Sequence, residues 1–281
     1  MLVAAALVPD TALLVPGVSG GHDVLTELRE AAVAAVAAAV GGAREVVVVA
    51  PAARAGEPTG RLRGSLGAVG VPDVLLGWPV PEVVVGTPGD GGTGVPGDAV
   101  VPAVASSVAL HLLAHAGWDG PVRVVEVGRD AVGAGAAASL AERGAGLVRG
   151  TEDPVALVVV GSGSGRHGPD APLADDARAP VLDASLAADL GTADVAARAR
   201  LAALDAGLAS ALAVTGWAPW QVLLGGVGTR AVEATLLAAD TSSGAHHVVA
   251  LWRVDRGAPA HDPVGPAAVD PTRPDRPAAD S

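Results

Sequence analysis

Unbroken apolar runs of six or seven residues recur along the chain, separated by longer stretches in which apolar positions return every three or four residues. Leu2–Val8 and Val155–Val160 are continuous runs, and residues 45–49 and 122–127 are nearly so. Strands covered on both faces read this way, because neither side alternates with water. Residues 23–40, 103–115 and 131–145 carry the helical spacing between them, and the first closes on a Gly pair. Strand, helix and strand in succession predict an α/β fold, with a mostly parallel central sheet and helices on both faces. A helical stretch over 180–213, a short Trp-bearing helix over 217–224 and strands over 234–238 and 246–252 complete the pattern, the last two as an antiparallel C-terminal pair. Residues 51–102 are dense in Gly and Pro and predict long loops with one or two short strands, such as residues 83–85. The pattern gives one domain over 1–255, followed by a disordered Pro- and Asp-rich tail over 256–281.

Composition narrows the chemistry. With 18 Lys+Arg against 30 Asp+Glu and a net charge of -12, the chain is a poor partner for nucleic acid, whose binding rests on cations neutralising phosphates. The absence of Cys removes disulfides, thiolate nucleophiles and Cys-held metals. Lys, Asn, Ile, Phe and Tyr are missing too, which coding pressure in a GC-rich genome explains, and the core must be Val, Leu and Ala with 5 Trp. The apolar N-terminus has no basic leader and is interrupted at Pro9 and Asp10. No stretch reaches the roughly 18 apolar residues of a membrane span. The expectation is a cytoplasmic chain with no nucleic-acid or membrane partner, and self-association as a homo-oligomer is left open.

Several segments could carry chemistry. Gly163, Gly165 and Gly168 match G-x-G-x-x-G, but Pro169, Pro172 and two Asp follow where a dinucleotide site needs a helix N-terminus. The loop is better read as one at the carboxyl end of a parallel strand, with His167 as a candidate acid/base and Ser164 and Arg166 lining a cleft; a solvated surface loop is the plainer alternative. Gly17 to Gly21 match the G-x-S-x-G elbow, yet one strand precedes them, so Ser19 reads as part of a turn that helps start the helix rather than as a nucleophile. His111 and His115 have the i, i+4 spacing of a metal pair without the glutamate of H-E-x-x-H, and read as partly exposed helix histidines. His246 and His247 are adjacent in a strand and point to opposite faces, so at most one faces a site. The acidic run from Asp170 to Asp176 reads as solvated.

Three segments together carry a family resemblance. They are the start Ala5-Leu7-Val8-Pro9-Asp10-Thr11-Ala12-Leu13-Leu14-Val15-Pro16; the loop from Gly161 to Pro172 with Asp175 and Arg178; and Trp217-Ala218-Pro219-Trp220-Gln221-Val222-Leu223 with Val249-Ala250-Leu251-Trp252. In order and spacing the chain resembles the family of class III extradiol ring-cleavage dioxygenases, over most of residues 1–254. The resemblance implies a non-haem Fe(II) held by two His and a Glu, a further His as acid/base, and a catechol-type substrate. Residue by residue, His167 fits the acid/base position, while Asp10 stands where the first iron His belongs. Ala50 to Arg54 hold no His for the second, and Glu233 is the nearest carboxylate to the position of the Glu. His and Glu are not among the depleted residue types, so coding pressure does not account for the lost ligands. Asp10 alone is a weak metal candidate. The resemblance therefore implies a non-catalytic small-molecule-binding or scaffold protein with no cofactor, whose ligand is a small aromatic or other small molecule. The alternative is an active Fe(II) dioxygenase with an atypical metal site.

Overall fold

The structure is a computed structural model that describes residues 1–86, 99–129, 135–150 and 153–255. The tail expected over 256–281 lies outside the described residues. The apolar runs form strands β1 (Leu2–Val8), β2 (Glu45–Ala52), β5 (Val122–Gly128) and β6 (Val155–Val160); β3 (Gly60–Arg63), β4 (Glu82–Val85), β7 (Val232–Asp240) and β8 (His247–Val254) complete the set. The helices are α1 (Thr26–Val40), α2 (Val104–His115), α3 (Ala136–Val148), α4 (Ala179–Thr192), α5 (Val195–Ala202), α6 (Ala206–Ala211) and α7 (Trp217–Val227). One sheet runs in the order β5-β2-β6-β1-β8-β7, and β3 and β4 make a separate antiparallel pair. Strands β5, β2, β6 and β1 are parallel, whereas β8 is antiparallel to β1 and β7 to β8. This is the α/β architecture that the pattern predicts.

Side chains alternate strictly across the sheet. Leu7, Val47, Val49, Val125, Leu157 and Val159 pack under α3 to α7, while Ala6, Val46, Val48, Val124, Ala156 and Val158 pack under α1 and α2. Both faces are thus dry, and every residue of β1 and β6 is buried. Bulk hydrophobicity alone would tolerate a slipped register, but with two different helical layers a one-residue slip would exchange every contact. A bulge at Val3 keeps the alternation in step with β6, since Leu2 faces Val155 and Ala4 faces Ala156.

The boundaries depart from the sequence pattern where side chains intervene. Helix α1 starts at Thr26 rather than 23, because the Asp23 carboxylate is taken by Arg29, which also donates to Leu14 O at 2.8 Å. The stretch expected to be helical over 180–213 is three helices. Ala193 and Ala213 adopt left-handed φ, and Asp194 and Asp205 cap α5 and α6 by accepting from Ala197 N and Leu208 N, each at 2.7 Å. Helix α3 runs from Ala136 to Val148 instead of 131–145, carrying Leu147 into the core; residues 131–134 of the expected helix lie outside the described residues. Strand β2 continues through Pro51 because it pairs there with β5 alone, having left β6 at Val49.

Candidate functional site

Neighbouring strands β1 and β6 send their chains to opposite faces, β1 toward α1 and β6 toward α4, which opens a crevice at their carboxyl ends. The loop leaving β6 enters that crevice. It is held as an extended thread: Gly161 N donates to Val8 O at 2.9 Å, Gly163 N to His246 O at 2.8 Å, Gly165 N to Leu212 O at 3.0 Å and His167 N to Gly244 O at 3.0 Å. Gly216 N and His246 N donate to Ser162 O and Ser164 O. The glycines serve this close packing. A Cβ on Gly163 would overlap His246 Nδ1 and Asp183 Oδ1, so the G-x-G-x-x-G match reflects protein contacts, and Pro169 and a turn follow it where a phosphate site needs a helix.

Two hydrogen-bonded clusters hang from the thread, one on each side. In the first, Ser162 Oγ donates to Asp10 Oδ1 at 2.6 Å and lies 3.0 Å from His247 Nδ1. A carboxylate only accepts, so the serine proton is committed to Asp10 and His247 must donate from Nδ1. Nε2 of that ring faces Ser243 Oγ at 3.4 Å. Burial pushes His247 below its ordinary 6.5, against the pull of Asp10 and Asp240, so it sits in the cluster as neutral imidazole. Arg129, just past β5, brings its guanidinium within 3.8 Å of Asp10 Oδ2.

The second cluster centres on Asp183 of α4, which is 1% exposed. It accepts from Ser164 N at 2.9 Å, from Ser164 Oγ and from His167 Nδ1 at 2.8 Å. His246 Nδ1 stands 3.3 Å away, close enough for an ion pair but out of line for a hydrogen bond. Burial raises the Asp183 carboxyl, but the contacts from His246, Ser164 and His167 outweigh it and bring it down to about 2. Because Asp183 fixes the proton of His167 on Nδ1, Nε2 of that ring is the free face, and the side chain is 25% exposed. A buried carboxylate orienting a half-exposed imidazole is an arrangement suited to proton transfer.

The sequence-predicted residues divide between these clusters. Asp10 belongs to the first, and Ser164 and His167 to the second. The Ser164 hydroxyl is fully buried on Asp183. Arg166 ties its own loop together by donating to Ala174 O at 2.8 Å. His246 and His247 do point to opposite sides, but the thread runs between them and each meets a cluster; His246 precedes β8 rather than lying in it. His111 is buried rather than partly exposed, with Nε2 2.8 Å from Gly64 O, while exposed His115 stacks on Trp78. Ser19 caps no helix; its hydroxyl donates to His22 O. In the run taken as solvated, Asp176 is bound by Arg178 at 2.7 Å, which holds its carboxyl far below the usual range. Sequence reading missed Ser162, Asp183, Arg129 and Thr215. Asp183 alone gave a signal, as a carboxylate on the buried stripe of Ala179, Leu186 and Leu190.

Beside the first cluster lies a cavity of about 240 Å³ at the carboxyl ends of β2 and β5, walled by α6 and the chain from Ala213 to Ala218. Thr215 lines it and accepts from Ser162 N at 2.8 Å, and Arg129 stands in its wall.

No family model and no curated protein matches the chain. Among solved structures, it is similar to an uncharacterized protein of Escherichia coli K12, JW3007, at 14% identity and a TM-score of 0.49, over 89% of this chain and 99% of that one.

The iron triad implied by the resemblance can be tested against these donors. Asp10 has one oxygen on Ser162 and the other toward Arg129, whose positive charge stands where a cation would have to compete. Ala50 to Arg54 end β2 with no imidazole, Glu233 is exposed on the edge strand β7, and Gln221 is buried with its amide on Leu201 O. Among the described residues, no three His, Cys, Asp or Glu side chains converge on a metal-sized position. The residues present do not fit the ion. Among the described residues, no helix is long and apolar enough to cross a membrane.

Proposed function

We propose that this chain is a small-molecule-binding protein that keeps a cleft of the class III extradiol dioxygenase type without the iron centre. The observation that carries the reading is the state of Asp10. The only ligand-type side chain left at the first iron position is committed to Ser162 and Arg129, and a carboxylate so engaged lacks the His and Glu partners that a facial triad requires. The apolar cavity beside it supplies the binding space.

Anaerobic loading with Fe(II), desalting and metal analysis test this. The expected result is far less than one iron per chain and no ring cleavage of catechol. Stoichiometric iron with catechol turnover overturns it.

An active enzyme is the competing reading, favoured by one observation, the Asp183–His167 pair. If catalysis occurs, His167 Nε2 is the group that takes or returns a proton, and Asp183 is its positioning residue.

A further inference from the structure

The cavity beside Asp10 has a chemical bias that its function as a binding site does not by itself require. Its walls are Ala206, Ala209, Val214, Trp217 and similar apolar groups, and Arg129 is the one charged residue among them. That guanidinium is 60% exposed and stands 3.8 Å from Asp10 Oδ2, beyond hydrogen-bond distance. Among the described residues, none of its side-chain nitrogens makes a hydrogen bond, although every other feature of the first cluster is bonded. A fork of five donors at the wall of an apolar pocket matches a carboxylate, which it can bind through two parallel bonds. At about 240 Å³ the space falls below the roughly 300 to 1,000 Å³ of sites for drug-sized molecules, which limits the occupant to a short chain or a single ring.

We propose that the cavity binds a small organic monocarboxylate, its apolar body among Ala206, Ala209 and Trp217 and its carboxylate on Arg129. This rests on the reading of the crevice as a small-molecule site and adds the charge of the ligand to it.

Hexanoate and its neutral isostere hexanamide distinguish the two claims when titrated into the full chain and followed by NMR at the Trp217 indole N–H and the Gly128 and Thr215 amides. Hexanoate should shift these signals saturably and bind at least tenfold more tightly than hexanamide. Arg129→Gln should bring hexanoate down to the level of hexanamide and leave hexanamide unchanged, whereas Arg129→Lys should restore part of the difference. Ala209→Leu, which fills the cavity, should abolish both, with the rest of the spectrum showing that the variants are folded. Equal binding of the two probes, or no effect of Arg129→Gln, overturns the carboxylate assignment and leaves the small-molecule reading standing. No shift at these residues with either probe overturns both, and undiminished binding to Ala209→Leu removes the site from this cavity.

Discussion

At the scale of single residues, Asp183 ties acid stability to the geometry of the site. Its carboxyl is lowered to about 2 from an ordinary 3.8, so the unfolded chain takes up the proton first as pH falls. The contribution is fully present above pH 3.8 and is lost as pH drops toward the folded value. At 1.36 kcal/mol per pK unit, it is worth about 2 kcal/mol. Asp183→Asn is therefore expected to be less stable than the wild type at pH 7 by about that amount. Urea midpoints should show the gap closing between pH 4 and pH 2. A gap that stays constant with pH would mean that the loss comes from packing and not from the charge. The same residue shows how much of the site was legible. His167 stood out in the sequence because a Gly-rich loop after an apolar strand ends in it, but its partner lies 16 positions away on a helix, and only burial reveals the pairing.

At the scale of elements, α3 and α7 pack closely enough that side chains are excluded between them. A Cβ on Gly144 would overlap Val222 O across the interface. In an exposed helix, Gly→Ala gains up to about 1 kcal/mol from propensity. At Gly144 the sign should reverse: the Ala variant should be destabilised by roughly 1 to 3 kcal/mol, the usual range for overpacking. Thermal unfolding of the variant checks this, and a rise in Tm would show that the helices can separate at little cost. Helix starts were legible where a cap announces them. Asp194 and Asp205 are both good N-cap residues, so the break of 180–213 into three helices could have been read from them. The left-handed φ at Ala193 and Ala213 could not, because Ala has no local preference for it.

At the scale of the whole molecule, the sheet is dry in its centre and wet at one edge. β6 and β1 are buried along their full length between two helical layers, whereas β7 exposes most of its residues. Opening the centre requires both layers to leave, so hydrogen exchange should be slowest in β6 and β1 and should approach the global unfolding free energy there. β7 should exchange through smaller openings. Mass-spectrometric exchange resolves the two, and faster exchange in β6 than in β7 would contradict the layering.

The sequence by itself determined the α/β class, the buried strands and the approximate helices, because each depends on local periodicity that is written in consecutive residues. It also determined which iron ligands are missing, since an absent imidazole at Ala50 to Arg54 needs no fold to be noticed. The tertiary structure alone decided what replaced them. That Asp10 meets Ser162 and Arg129, that His246 and His247 each serve a cluster, and that a cavity lies beside them are contacts between residues up to 152 positions apart. No periodicity encodes such contacts. They follow from the order of strands in the sheet, which brings the carboxyl ends of β1 and β6 together and threads one loop between two others.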